Sequence, residues 1–245
     1  KINGVYSAMA LLDLDTAKAK KYTDTKSVKE ESGYTSPFCY PLWPCDRVGE
    51  YILAKSAVAG AMIQYMASDN EDVPNQSPSN HLLGVGGQCL EDGTEVYLDQ
   101  DQANTVNGYG VTTAINQNGY RLWGNYTGAY PASSDAKDIW FAVRRMFSWQ
   151  GNNFIQTYFD EVDDPMNNVL VQSVVDSENI RCSAYAPKYW AGASIEYKSD
   201  DNPKTAILAG TMKFRQHIAP YTPAQEIVDI IDYDTDTLAA AVGGN

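Results

Sequence analysis

The segment from Val5 to Leu14 is apolar and carries no charge before Asp13. Such a run is typical of a strand that is buried on both faces of a sheet. From Tyr51 to Ala67 the apolar residues recur instead with the spacing of one face of a helix. A buried strand followed by a helix that packs on it indicates an alternating α/β unit in the first hundred residues.

The second half of the chain has a different pattern. Strands are predicted at Tyr120–Tyr126 and Ile139–Val143, which are rich in aromatic and β-branched residues, and two helices follow at Arg145–Phe159 and Pro165–Tyr185. Three further strands are predicted to close the chain. They lie at Ser194–Lys198, Thr205–Ile218 and Glu226–Tyr233.

The predicted fold class is therefore α+β. An α/β-type core subdomain is expected over residues 1–110, and a C-terminal subdomain of mixed or antiparallel strands packed with helices over residues 111–245. The boundary is placed near residue 110 because the strand and helix patterns change there.

Composition excludes several classes of protein. The 245 residues include 18 Lys and Arg against 31 Asp and Glu, a net charge of −13, whereas a nucleic-acid-binding protein needs a basic face. A hydrophobic content of 44% argues against wholesale disorder. No apolar run approaches the ~18 residues of a membrane span, so membrane insertion is not expected.

Few residues are suited to catalysis. His81 and His217 are the only histidines, and each follows a pattern that indicates a surface position. The four cysteines are expected to be buried or free thiols of a reducing compartment, and their spacing matches no common zinc site. We therefore predict no catalytic, cofactor-binding or metal-binding residues. A Cys–His hydrolase that uses Cys39, Cys89 or Cys182 as nucleophile is kept as an alternative.

Short motifs from Tyr40 to Ile227 share their order with those of a known family. They are Tyr40-Pro41, Val58-Ala59-Gly60, Ser77–Val85, Asn107–Val111, Gly119–Thr127, Val143-Arg144-Arg145 and Pro220–Ile227. Together they resemble the core and C-terminal part of contractile phage tail sheath proteins. One departure is Tyr126, which stands where the family usually has an arginine. Sheath proteins are usually longer, so an N-terminal portion is expected to be missing.

The resemblance implies a structural subunit of a phage, a prophage or a phage-derived injection particle. Such subunits form hexameric rings that stack helically around a tail tube, and contraction drives the tube through a cell envelope. The partners implied are further copies of the chain, the tail tube protein, and the baseplate and tail-terminator proteins. The implied location is the virion tail, assembled in the cytoplasm of the bacterial host. No cofactor and no enzymatic activity are implied.

Two sets of residues are candidates for these contacts. Terminal arms add strands to a neighbouring subunit's sheet in this family, which implies a subunit interface in the last predicted strand. The alternative is an ordinary edge strand of the chain's own sheet. Its members are Glu226, Ile227, Val228, Asp229, Ile230, Ile231, Asp232 and Tyr233. By resemblance a helix of the C-terminal subdomain contacts the tube, and Arg144 and Arg145 mark one candidate. The alternative for this pair is a structural role with Asp or Glu partners.

A third class of protein is also kept open. The 17 Tyr and 5 Trp residues suit a carbohydrate-binding surface module, which would present a planar row of exposed aromatic side chains.

Overall fold

The computed structural model describes residues 6–243. Strand β1 (Ala10–Asp13) pairs in parallel with β2 (Cys39–Leu42), so that Ala10 lies opposite Cys39. The connection between them contains a 3₁₀ turn at Tyr22–Asp24 and helix α1 (Thr25–Glu31). A helical crossover is what a parallel pair requires.

An antiparallel sheet follows directly. Strand β3 (Cys45–Val48) lies in its centre, between β4 (Tyr51–Leu53) and β5 (Gly87–Cys89). Helix α2 (Lys55–Asp69) begins two residues after β4 and packs on β1.

The middle of the chain adds a helix and a hairpin. Helix α3 (Gln100–Gly108) is capped at its N-terminus by Asp99, whose carboxylate accepts a hydrogen bond from the backbone amide of Gln102. Strands β6 (Thr113–Asn116) and β7 (Tyr120–Trp123) then form an antiparallel hairpin.

The last part of the chain is helical with one two-stranded sheet. Strand β8 (Trp190–Glu196) pairs antiparallel with β9 (Arg215–Pro220), and helix α6 (Asn168–Ala184) packs on β8. The elements are α4 (Ala136–Ile139), α5 (Phe141–Thr157), α6 (Asn168–Ala184), β8 (Trp190–Glu196), α7 (Lys204–Leu208), β9 (Arg215–Pro220) and α8 (Thr235–Ala241). None of the helices in residues 6–243 is long and apolar enough to cross a membrane.

The α+β class is confirmed, but three predicted strands are wrong in part or in whole. Ile139–Val143 ends α4 and begins α5, because Phe141 faces the core from a helix. Thr205–Ile218 divides into α7 and β9. Glu226–Tyr233 is not a strand within residues 6–243, because no neighbouring strand of the chain lies beside it. These errors share a cause, since β-propensity depends on the packing that a segment finds.

Three clusters of buried residues make the core. The central one joins Tyr40 and Leu42 of β2 to Leu122 of β7 and Phe141 of α5. The rings of Tyr40 and Phe141 stack with their centroids 4.0 Å apart, and the Tyr40 hydroxyl donates to the carbonyl oxygen of Gly124 at 2.7 Å. Residues on both sides of position 110 thus share one cluster, and the division into two subdomains there stays a prediction.

A buried lysine ties three segments together. Lys29 of α1 is 3% exposed, and its ammonium donates to the carbonyl oxygens of Tyr109 at 2.8 Å and Tyr130 at 2.5 Å. Burial lowers the pKa of Lys29 to about 8. Gly110 lies against this contact with φ +70°, and a Cβ atom there would be 2.7 Å from Nζ of Lys29 and would clash with the carbonyl oxygen of Tyr130.

We expect Gly110→Ala to lower the free energy of unfolding by about 2–4 kcal/mol, because a left-handed backbone and a clash with main-chain atoms combine. The matched control is Gly108→Ala, where a Cβ atom meets nothing within 4 Å, so its effect should stay within about 0.5 kcal/mol. Denaturant titration of both variants measures the difference. Equal stability of the two variants would contradict the close packing at Gly110.

Candidate interaction surface

The segment from Glu226 to Tyr233, here called the arm, is the most apolar exposed stretch of the described chain. Its backbone makes no hydrogen bond to any of residues 6–243. The exposed fractions of its apolar side chains are Ile227 89%, Val228 69%, Ile230 78%, Ile231 86% and Tyr233 76%. Five exposed apolar side chains within eight residues are typical of an interaction surface.

The root of the arm is held by two tyrosines. The hydroxyl of Tyr221 donates to the carbonyl oxygen of Pro187 at 2.9 Å, and that of Tyr126 donates to Oε1 of Gln225 at 2.5 Å. Tyr126 is itself fixed between two rings, Tyr130 at 3.8 Å and Trp140 at 4.8 Å between centroids. Tyr126, the residue at which the motifs depart from the resemblance, therefore anchors the root of the arm, a contact that the sequence motifs do not reveal.

A cleft of about 830 Å³ lies beside this root. Its lining is rich in uncharged amides, among them Asn104, Asn107 and Asn125, and residues 221–226 form one wall. The side-chain oxygens of Asn107 and Asn125 are buried and have no hydrogen-bond partner among the described residues. Its lining includes no cysteine and no histidine, so this cleft does not hold the Cys–His pair of the hydrolase alternative.

The arginine pair is built into the fold. Arg144 forms an ion pair with Asp138 at 3.1 Å, and its guanidinium lies 4.1 Å from the ring centroid of Phe38. Arg145 lies 5.5 Å from the ring centroid of Phe141, and burial lowers its pKa to about 10. Arg144 thus has the acidic partner that its structural alternative requires, while contact with a tube stays a prediction for both arginines.

The two candidate tube-contact helices differ in their exposed surfaces. Helix α6 leaves Val169 and Ile180 in water, 76% and 73% exposed. Helix α5 buries Phe141, Val143 and Met146. Phe159, the last residue of the other candidate segment, is also 62% exposed, so exposure does not choose between the two and the tube contact stays a prediction.

The cysteines are poorly placed for nucleophilic chemistry. Cys45, Cys89 and Cys182 are buried, and burial raises the pKa of Cys45 and of Cys182 to about 11. His217 contacts Glu196 at 3.0 Å on the surface instead of a thiol. Within residues 6–243, no group of three or more His, Cys, Asp or Glu side chains is arranged to hold a metal ion.

Two curated phage proteins are similar to the chain in sequence. The major tail sheath protein of Serratia phage KSP20 is 27% identical over 197 residues, which are 77% of this chain and 48% of the relative. The tail sheath protein of Escherichia phage P2 is 22% identical over 215 residues, 82% of this chain and 52% of the relative. The chain thus spans about half the length of these relatives. No family model matches it.

Solved structures share the fold. The sheath complex of an extracellular contractile injection system, PVC, in its contracted state matches 94% of this chain and 65% of its own with a TM-score of 0.77 at 17% identity. The baseplate of the anti-feeding prophage matches 93% of this chain and 60% of its own with a TM-score of 0.74 at 19% identity.

The fold is accordingly that of a contractile sheath subunit. The relatives in sequence are all named as tail sheath proteins of phages. The resemblance to this family that the motifs indicated is confirmed. These relatives are structural proteins, which agrees with the prediction that the chain is not an enzyme.

We expect only Cys39 to react with Ellman's reagent in the native protein at pH 8, because it alone is partly exposed. A pKa two units above the ordinary value leaves about 100-fold less thiolate at Cys45 and Cys182. Thiol counting by absorbance should give one group before and four after addition of guanidinium, and none before it in Cys39→Ser. Rapid native reaction of Cys182 would revive the hydrolase alternative.

We expect Arg144→Glu to lower the free energy of unfolding by about 1–3 kcal/mol, because it places a carboxylate against Asp138 and removes the contact with Phe38. Lys137→Glu is the matched charge reversal, since the Lys137 side chain is 43% exposed and its Nζ lies 3.8 Å from Asp135, and it should change stability by less than about 0.5 kcal/mol. Thermal and denaturant unfolding measure both variants. If they are equally stable, the ion pair of Arg144 contributes nothing to the fold.

Proposed function

We propose that the chain is the core and C-terminal part of a contractile tail sheath subunit, a structural protein that polymerises around a tail tube and contracts to drive the tube through a cell envelope. The observation that carries this proposal is the shared fold over 94% of the chain with a contractile sheath in its contracted state. The named phage relatives support the same function.

The finer partners belong to this proposal. The subunits form hexameric rings stacked into a helix around the tail tube protein, between the baseplate and the tail terminator, in a virion tail that assembles in the host cytoplasm. Residues 1–110 belong to the sheath core domain and residues 111–245 to the C-terminal tail-sheath domain. A net charge of −13 supports a lattice whose contacts place unlike charges together, since stacked subunits otherwise repel one another.

The arm is the proposed subunit interface. It adds a strand to the sheet of a neighbouring subunit, so that its backbone gains the hydrogen bonds that it lacks within one chain. Its apolar side chains become buried in the same step, and Asp229 and Asp232 discourage random pairing of arms between free subunits. The anchor at Gln225 fixes where the arm leaves the fold.

Electron microscopy of the chain, as encoded in its own gene and co-expressed with the tail tube protein, tests the function directly. The expected result is tubes or stacked rings with helical order in negative stain. The purified subunit without tube protein serves as the control. Only separate monomers at high concentration, with and without the tube protein, would refute the proposal.

Proline substitutions in the arm test the interface. We expect Ile230→Pro or Ile231→Pro to abolish tubes, since proline lacks the backbone N–H and adjacent residues of a strand point these groups in opposite directions. Ile230→Ala and Ile231→Ala are the controls that keep the N–H. All four should leave the unfolding free energy of the monomer within about 0.5 kcal/mol, because the arm packs on nothing. Normal tubes from both proline variants would rule out strand addition.

A further inference from the structure

A second buried lysine lies in the first part of the fold, at the N-terminus of α2. Lys55 is fully buried, and its Nζ contacts Oδ1 of Asp46, which lies on β3 and is also fully buried. The other carboxylate oxygen, Oδ2 of Asp46, is buried without a hydrogen-bond partner among the described residues. One ion pair with an unsatisfied oxygen, sealed from water, is a costly arrangement.

The surrounding side chains hold the two groups in place. Asp13, at the end of β1, accepts hydrogen bonds from the backbone amide of Ser56 at 2.9 Å and from the Ser56 hydroxyl. These bonds fix the first turn of α2 and hence the origin of the Lys55 side chain. Asp46 is fixed by the register of its sheet, where it pairs with Leu53 on one side and Gln88 on the other.

Burial favours the uncharged forms of both groups. It lowers the pKa of Lys55 and raises the pKa of Asp46, although the two side chains attract one another in their charged forms. The negative charge of Asp13 adds to the increase at Asp46. A neutral amine is nucleophilic and a neutral carboxylic acid can release hydroxide as water, whereas ammonium and carboxylate ions do not condense.

We infer that Lys55 and Asp46 condense into an intramolecular isopeptide bond. The lone pair of Nζ forms a bond to Cγ of Asp46, and the bond from Cγ to Oδ2 breaks. Oδ2 leaves with its own proton and one proton from Nζ, so an amine and a carboxylic acid become one amide and one water. The partnerless oxygen is the one that departs, and no oxidant or cofactor is needed. The inference does not depend on the proposed function.

The product suits the site better than the ion pair does. An amide carries no charge, so the desolvation of two ions is no longer required. The bond closes a loop of residues 46–55 and joins the central strand β3 to the first turn of α2.

Mass spectrometry of the purified chain in denaturant tests the bond without any variant. The expected intact mass is about 18 Da, one water, below the mass calculated from the sequence. Trypsin should not cut after Lys55, so that peptide 30–47 is recovered joined to peptide 48–121. A mass equal to that of the sequence, with cleavage after Lys55, would overturn the inference and leave an ordinary buried ion pair.

Two controls sharpen the result. Lys29 is buried like Lys55 but contacts two carbonyl oxygens, so after unfolding it should be cut by trypsin and should react fully with an amine reagent. Lys55→Arg keeps the positive charge and cannot condense, so its mass should equal that of its sequence. Loss of water from that variant would assign the missing mass to another site and overturn the inference.

Discussion

The ammonium of Lys29 holds together parts of the chain that are about a hundred residues apart. It binds the carbonyl oxygens of Tyr109 and Tyr130, and Gly110 must lack a side chain for these groups to meet. Helix α1, the turn after α3 and the loop before α4 are thereby fixed against one another. A separate contact, the stacked rings of Tyr40 and Phe141, joins β2 to α5. The arm and its anchor depend on this frame, because Tyr130 also stacks on Tyr126.

Periodicity in the sequence predicted the α+β class and placed α2, α5 and α6 close to their observed ranges, because each buries one regular face. It failed where tertiary packing overrides local preference, as at Ile139–Val143. The same patterns located the arm but assigned it a strand, since an apolar segment needs a neighbouring strand before it can pair. The anchor of Tyr126 on Gln225 joins residues 99 positions apart, and no local pattern could reveal it.

The packed body of the molecule and the exposed arm differ in how their residues are held. The sheets and helices are tied by buried polar contacts, such as Glu178 with Gln150 at 2.6 Å, and by aromatic packing around Trp190. The arm contributes nothing to this interior and exposes its apolar side chains instead. A folded body joined to an exposed apolar segment is the arrangement that the proposed strand addition to a neighbouring subunit requires.

The fixed origin of the arm also sets a length scale. The side chain of Gln225 is hydrogen-bonded to Tyr126, and the eight residues that follow span at most about 29 Å when fully extended. In the proposed assembly, the far end of the paired arm therefore lies within that distance of its anchor on the subunit that donates it. A lattice tethered in this way can change its pitch and diameter only if its members turn about their anchors while the tethers keep their length.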